Sequence, residues 1–218
     1  MQAVIFDYDG VIADGFEANY LGWEKCFTEH GLSGFDRSFF RCVYGTGARN
    51  IARPILEKNN AAVSEEILLD LIRSKSQYAA EFASCITLIP GLIEFFNILH
   101  GFKLAIATGN SRIFIEQLNK HFGIDSYFDL VVGSEDVGSN RTDPKGLLIA
   151  ASRLGAAPAD CLVVEDAPLG VEAAKRCGMK CLALTTSKSR AALAAADLVA
   201  DSYENIRLED LTGLFRKG

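Results

Sequence analysis

The fold is decided by the stretch AVIFDYDG at residues 3–10, where four apolar residues are followed by two carboxylates and a glycine. A short apolar run that ends at a glycine turn is typical of a buried parallel strand. Residues i and i+2 of an extended chain face the same side, so Asp7 and Asp9 can act together, and Gly10 allows a sharp turn. Because Asp and Gly are also common turn residues, the stretch alone fits a solvated turn equally well.

Two later apolar runs end in the same way, LAIATGN at 104–110 and LVVED at 162–166. The carboxyl ends of parallel strands lie at one edge of a sheet, and open α/β sheets bind ligands there. The sequence therefore predicts one polar site that is built from Asp7, Asp9, Thr108, Asn110, Glu165 and Asp166.

The segment between the first strand and residue 86 has helical periodicity and no strand pattern. In residues 15–30 the large side chains recur at helical spacing and are expected to form core: Phe16, Tyr20, Trp23 and Phe27. Further helices are predicted at 48–58 and at 64–82, the latter beginning at Ser64. We therefore expect residues 15–86 to be a helical domain, inserted into a second domain made of 1–14 and 87–218.

From residue 103 onward, strand and helix patterns alternate, which favours a parallel sheet with right-handed crossovers. Strands are predicted at 103–107, 129–132, 161–165 and 180–184, and helices at 111–122, 145–154 and 170–177. The alanine-rich run at 191–196 is interpreted as a further helix. The predicted fold class is α/β.

Composition excludes several functions. The chain has 218 residues, 49% of them hydrophobic, and a net charge of -6, which suits a protein with a sizeable core and makes nucleic acid an improbable partner. No leader peptide or bilayer-length apolar stretch is evident, so we expect a cytoplasmic protein without a membrane partner, a monomer or else a dimer. The six cysteines lack Cys-x-x-Cys spacing and are expected to be buried free thiols.

Four segments together resemble the haloacid dehalogenase-like hydrolase superfamily, and more narrowly its β-phosphoglucomutase and phosphoglycolate phosphatase branch. They are FDYDGVIAD at 6–14, IPG at 89–91, ATGNS at 107–111 and VVEDAPLGVEAA at 163–174. The resemblance implies a Rossmann-like three-layer parallel sheet with an inserted α-helical cap domain over its carboxyl edge.

The resemblance also implies roles for the acidic residues. Enzymes accelerate phosphate monoester hydrolysis by up to ~10²¹, whereas one positioned acid or base contributes only ~10²–10⁴. The family adds a nucleophile and a cation: Asp7 would form an aspartyl-phosphate, and Asp9 would act as acid and then as base. Mg²⁺ would be held by the Asp7 side chain, the Asp9 carbonyl and Asp166, with Glu165 nearby or ligating. Alternatively, Glu165 and Asp166 only cap the following helix.

The resemblance also implies which residues bind the phosphate group. They follow the strand predicted at 103–107, and a basic residue further along the chain joins them. Thr108 offers a hydroxyl, and Gly109 and Asn110 offer amides at a predicted helix start, although Asn110 or Ser111 can equally serve as an N-cap. The family's basic residue corresponds best to Lys145, but its Lys-Pro order is reversed here, and a gapless register selects Arg141. A solvated lysine is the structural alternative.

The glycine turn at 45–47 leads into a helix that carries Arg49, and this segment resembles the cap segment that reaches into the site in this branch. By this resemblance, Arg49 would bind a substrate phosphate or carboxylate. The sequence fits a solvated surface arginine equally well. A dinucleotide loop is excluded because no strand precedes the turn and the third glycine is missing.

The favoured function is a phosphatase of a small phosphorylated metabolite, with a sugar-phosphate mutase as the alternative. Mutases of the family usually carry histidine where this chain has Asn19, which favours the phosphatase. Dehalogenase and phosphonate hydrolase are disfavoured because Asp9 is present, a response-regulator receiver because it is shorter, and a non-catalytic binding protein because it has little need of these carboxylates.

Overall fold

A six-stranded parallel sheet lies at the centre of the structure, which is a computed structural model that describes residues 1–137 and 144–216. The strands are β1 Ala3–Phe6, β2 Ala13–Asp14, β3 Thr87–Leu88, β4 Lys103–Ala107, β5 Leu130–Val132, β6 Cys161–Glu165, β7 Lys180–Leu184 and β8 Leu198–Ala200. The order in the large sheet is β5-β4-β1-β6-β7-β8, and β2 and β3 form a separate two-stranded sheet.

β1 occupies the middle of the sheet. Its last residue, Phe6, is in register with Ile106 of β4 and Val164 of β6. The turns that follow these three strands therefore lie side by side at one edge, as the apolar runs predicted. All four residues of β1 are fully buried, because strands pair with it on both sides and helices cover both faces.

The helices are α1 Phe16–Glu29, α2 Arg37–Val43, α3 Ala48–Lys58, α4 Glu65–Glu81, α5 Leu92–Ile98, α6 Arg112–Phe122, α7 Ser134–Val137, α8 Lys145–Leu154, α9 Pro168–Arg176 and α10 Leu208–Gly213. α8 and α9 pack on one face of the sheet, against Ala3 and Ile5. On the other face, Phe6 makes edge-to-face contacts with Phe95 and Phe96 of α5. The predicted three-layer α/β architecture is thereby confirmed.

The chain divides into two units, which we call the sheet unit (residues 1–13 and 88–218) and the helical unit (residues 14–87). These limits lie within one residue of the boundaries that the sequence predicted. The helical unit has its own aromatic core, in which Tyr20, Trp23 and Phe27 are buried and Phe16 is partly buried. The helical stripe in α1 is therefore core, as expected.

Helix α4 begins where the sequence predicted, because the Ser64 hydroxyl oxygen accepts a hydrogen bond from the amide of Ile67 at 3.2 Å. The alanine-rich run at 191–196, in contrast, is not a helix: it forms successive turns before β8. Its amides make turn hydrogen bonds to carbonyl oxygens three residues back, from Ala192 to Ser189 and from Ala196 to Leu193. The Arg190 guanidinium also fixes the start of the run by donating to the Val199 carbonyl oxygen, 2.8 Å away.

The cysteines are free thiols, and Cys26, Cys161 and Cys181 are buried. Burial raises the pKa of the Cys26 and Cys161 thiols to about 11, so both are protonated and unreactive at neutral pH. Cys42 and Cys85 are exposed, so the expectation of buried thiols was wrong for these two.

No helix in the described ranges combines the length and the apolar character that crossing a membrane requires.

Candidate active site

Three carboxylates meet at the carboxyl edge of the sheet. Asp7 follows β1, Glu165 ends β6 and Asp166 follows it, and each offers an oxygen within 4.8 Å of the other two. The Asp7 amide donates to the Val164 carbonyl oxygen at 3.0 Å, so hydrogen bonding between the two strands continues up to the site. Asp7 and Asp166 are only 8% and 5% exposed.

This cluster has the chemistry of a divalent-cation site. Carboxylate oxygens are hard ligands, and Mg²⁺ binds through one or two of them while it keeps water or substrate oxygens. A cation also relieves the repulsion among three negative charges that are close together and largely removed from water. The residues present therefore fit the magnesium ion that the family resemblance implies.

Gly10 provides the space for Asp166. Its φ angle is +76°, a conformation that favours glycine, and a Cβ atom built on Gly10 would lie 2.0 Å from Asp166 Oδ2. The carboxylate thus rests directly on the glycine backbone. The turn after β1 consequently shapes the position of a carboxylate that belongs to the turn after β6.

Asp9 is connected to the turn after β4. Asn110 Nδ2 donates to Asp9 Oδ2 at 2.8 Å, and the Thr108 hydroxyl oxygen accepts the Asn110 amide at 3.2 Å. Thr108 is buried, whereas Gly109 is exposed and its amide makes no hydrogen bond with the described part of the chain. The Gly109 N–H is therefore available to a phosphate oxygen.

At the start of α6, the sequence left open whether Asn110 or Ser111 serves as an N-cap. Ser111 occupies the N-cap position, but neither Ser111 nor Asn110 caps the helix through its side chain. The Ser111 hydroxyl instead donates to Glu135 Oε1 at 2.8 Å, and Glu135 Oε2 accepts the Arg112 amide at 3.1 Å. Glu135 of α7 therefore caps α6 from a distant part of the sequence.

The sequence left open whether Glu165 joins the acidic site or only caps the following helix, and α9 has no side-chain cap at its start. The Glu165 Oε2 atom accepts the amides of Asp166 and Ala167 at 2.9 and 3.0 Å, just before α9 begins at Pro168. The same side chain belongs to the carboxylate cluster. One carboxylate group can therefore bond to the backbone and still belong to the cluster.

Two buried tyrosines show that the surroundings of the site are poor in water and negatively charged. Burial, followed by the charge of Asp9, raises the pKa of Tyr8 well above its ordinary value. Burial and then the charge of Asp166 do the same for Tyr203, whose hydroxyl donates to the Val11 carbonyl oxygen at 2.8 Å.

The basic candidates belong to other elements of the chain. Lys145 is the exposed first residue of α8, and Arg141 falls outside the described residues. In the helical unit, Arg49 forms an ion pair with Glu65, and Asn19 accepts a hydrogen bond from Lys75.

Sequence reasoning missed two hydroxyl residues next to the carboxylates. Thr186 Oγ1 donates to the Gly10 carbonyl oxygen at 2.6 Å, and Ser187 Oγ donates to the Asp166 carbonyl oxygen at 3.0 Å. Both follow β7, so the signal that identified the other strand ends, polar residues directly after an apolar run, was also present here.

The family model of the haloacid dehalogenase-like hydrolases matches residues 4–184, which include every element that contributes a carboxylate to the site. The chain belongs to this family.

Haloacid dehalogenase-like relatives of known activity match it over nearly their whole length. Validoxylamine A 7'-phosphate phosphatase of Streptomyces hygroscopicus subsp. limoneus is 28% identical over 94% of this chain and 96% of its own. Fructose-1-phosphate phosphatase YqaB of Escherichia coli is 30% identical over 81% of this chain and 92% of its own.

A solved structure of the family has the same fold. β-Phosphoglucomutase from Clostridium difficile superposes with a TM-score of 0.84 and 26% identity, covering 99% of this chain and 97% of that one. The relatives therefore include both phosphatases and a mutase.

Proposed function

We propose that this protein is a Mg²⁺-dependent phosphatase that hydrolyses a small phosphorylated metabolite through an aspartyl-phosphate at Asp7. The observation that carries the proposal is the cluster of Asp7, Glu165 and Asp166 at the sheet edge, with Asp9 two residues from Asp7. The similarity to two phosphatases that act on small phosphorylated molecules supports it.

In this mechanism Asp7 and Asp9 act in succession. A carboxylate oxygen of Asp7 bonds to phosphorus while the ester oxygen leaves with a proton from Asp9. Asp9 then takes a proton from water, whose oxygen attacks the same phosphorus and releases inorganic phosphate from Asp7. The Asn110 bond to Asp9 Oδ2 orients this carboxyl group for both transfers.

The remaining residues hold the phosphoryl group. Mg²⁺, bound by Asp7, the Asp9 carbonyl and Asp166 with Glu165 beside it, would supply positive charge to the phosphoryl oxygens. Thr108 and the Gly109 amide donate hydrogen bonds to those oxygens, with Asn110 nearby. Lys145 adds a positive charge, and Arg49 binds the part of the substrate that is not transferred.

A sugar-phosphate mutase is the second candidate, because a β-phosphoglucomutase shares the fold at 26% identity. The two reactions have the same first half and differ in whether water or a sugar hydroxyl accepts the phosphoryl group. Asn19 stands where mutases of the family usually carry histidine. In this chain its side-chain nitrogen donates to the Gly15 carbonyl oxygen, and its side-chain oxygen accepts a hydrogen bond from Lys75. This favours water as the acceptor.

The test separates the two aspartates. Asp7→Asn should form no phosphoenzyme on any substrate, because an amide is a poor nucleophile. Asp9→Asn should be inactive on alkyl phosphates but should still transfer phosphate to Asp7 from an aryl phosphate, whose leaving group needs no proton. Intact-mass measurement would detect the added phosphate, and Asp125→Asn, the same change at an exposed position, is the matched control.

Phosphate on residue 9, or normal turnover by Asp7→Asn, would refute these assignments. A panel of small phosphate esters with and without Mg²⁺ identifies the substrate class. Conversion of a hexose phosphate into its isomer without release of inorganic phosphate would establish the mutase instead.

A further inference from the structure

The loop after β7 carries three consecutive hydroxyl residues, Thr185, Thr186 and Ser187. Thr185 Oγ1 donates to the exposed carboxylate of Asp201 at 2.8 Å. The other two reach the backbone of different strand ends, since Thr186 donates to the Gly10 carbonyl oxygen and Ser187 to the Asp166 carbonyl oxygen. We call Thr186 and Ser187 the hydroxyl clasp.

The clasp bonds to the backbone of Gly10 and of Asp166, and these two residues also contact each other. Asp166 Oδ2 lies 2.0 Å from the point where Gly10 would carry a Cβ atom, and Thr186 Oγ1 lies 3.3 Å from that point. The Asp166 carboxylate therefore occupies the space beside the Gly10 backbone that a side chain would fill. The clasp restrains the backbone on both sides of this contact, and each bond crosses from one strand end to another.

We propose that Thr186 and Ser187 are positioning residues for the divalent cation of the carboxylate cluster. The inference rests on the proposed function and adds two residues from a fourth strand end to the site. Both hydroxyls donate to backbone carbonyl oxygens and not to the carboxylates of the cluster. Each acts by fixing the backbone that presents Asp166 and the turn containing Asp9, as residues outside the ligand shell commonly do in metal sites.

The experiment measures cation affinity directly. Free Mn²⁺ is followed by electron paramagnetic resonance while the full chain is titrated without substrate. Thr186→Val and Ser187→Ala should each weaken Mn²⁺ binding by about 10-fold, the lower end of the effects found for such residues. Thr186→Ser, which keeps the hydroxyl, should restore the affinity to within about 2-fold of the wild-type protein.

The matched control is Thr185→Val, which removes a hydroxyl from the same loop but breaks a bond to exposed Asp201. Its Mn²⁺ affinity should equal that of the wild-type protein. Excess Mg²⁺ should also recover the phosphatase rate of Thr186→Val, because a high Mg²⁺ concentration fills a cation site of low affinity. It would not repair a general loss of structure.

Wild-type Mn²⁺ affinity in both clasp variants, or equal losses in Thr185→Val, would overturn the clasp alone and leave the proposed function intact. A wild-type protein that binds no Mn²⁺ would overturn both the metal site and the clasp. Circular dichroism verifies that each variant is folded.

Discussion

Asp197 shows how much one side chain can organise. Its carboxylate accepts hydrogen bonds from Lys175 at 2.7 Å, Lys180 at 3.1 Å and the Cys181 amide at 2.9 Å. Burial pushes the pKa of Asp197 upward, but these hydrogen bonds outweigh burial and leave the pKa below its ordinary value. One residue therefore connects α9, β7 and the turns before β8.

We predict that the contribution of Asp197 to stability depends on pH. A carboxyl group with a lowered folded-state pKa stabilises the fold above its unfolded pKa of about 3.9, and this contribution is lost as the pH falls through the folded value. Asp197→Asn should cost about 1–3 kcal/mol of unfolding free energy at pH 7, and less at pH 3. Urea denaturation at both values provides the measurement.

Asp201→Asn is the control for this prediction. Asp201 also has a lowered pKa, from its bonds with Thr185 and Arg190, but its side chain is 75% exposed and solvent screens the pair. Its replacement should change stability much less. An Asp197→Asn cost that is the same at pH 7 and pH 3 would show that the carboxylate charge is not responsible.

At the scale of elements, the long buried strands and the helices with clear periodicity, such as α3 and α8, were predicted, and short elements were missed. β4, β6 and β7 coincide with apolar runs that end in polar residues, and burial in a parallel sheet makes such runs continuous. α2 was missed because it has only seven residues and its buried core contact is Phe40, a signal too short for helical periodicity.

The site was predictable only as far as strand ends determine it. The turns after β1, β4 and β6 had to converge once the sheet was parallel. Glu135 and Thr186 reach their partners across 23–24 and 176 residues of sequence, through packing that no local pattern encodes. The alternative of a side-chain cap at Asn110 or Ser111 is not realised for the same reason, since Glu135 bonds to the start of α6 instead.

Gly22 is the basis of a prediction about the pairing of α1 with α4. A Cβ atom on Gly22 would lie 2.8 Å from Ala79 Cβ and 2.9 Å from its Cα, and a backbone neighbour cannot move aside by changing rotamer. Overpacking of this kind costs about 1–3 kcal/mol, against a gain in helix propensity of at most about 1 kcal/mol. Gly22→Ala should therefore destabilise the helical unit in urea denaturation.

Gly213→Ala in α10 provides the comparison, because no atom of the described residues, apart from its chain neighbours and its own helix backbone, lies within 4 Å of the added Cβ. This variant should be neutral or slightly more stable. Equal effects of the two substitutions would mean that helix propensity, and not contact with Ala79, governs Gly22.

At the scale of the whole molecule, the carboxylate cluster and the clasp belong entirely to the sheet unit. The chain leaves and re-enters this unit at adjacent points, since the Ile89 amide donates to the Ile12 carbonyl oxygen at 2.9 Å. A short linker can therefore span the gap that removal of the helical unit leaves.

We predict that replacing residues 14–87 with a short Gly-Ser linker preserves Mn²⁺ binding while phosphatase selectivity among small phosphate esters is lost. The first outcome follows from the location of the carboxylates, and the second from the location of Arg49 in the removed segment. Electron paramagnetic resonance and a panel of esters measure the two outcomes. Loss of Mn²⁺ binding in a folded variant would show that the helical unit contributes to the cation site.

The central position of β1 also has a consequence for synthesis on the ribosome. β1 is translated before its two neighbours in the sheet and is paired on both sides only after residues 103–107 and 161–165 have been made. The helical unit is contiguous at residues 14–87 and has its own aromatic core, so it can fold while β1 is still unpaired. During translation, the apolar stretch that precedes Asp7 thus keeps at least one unpaired edge until residues 161–165 are made, and an unpaired strand edge can associate with other chains.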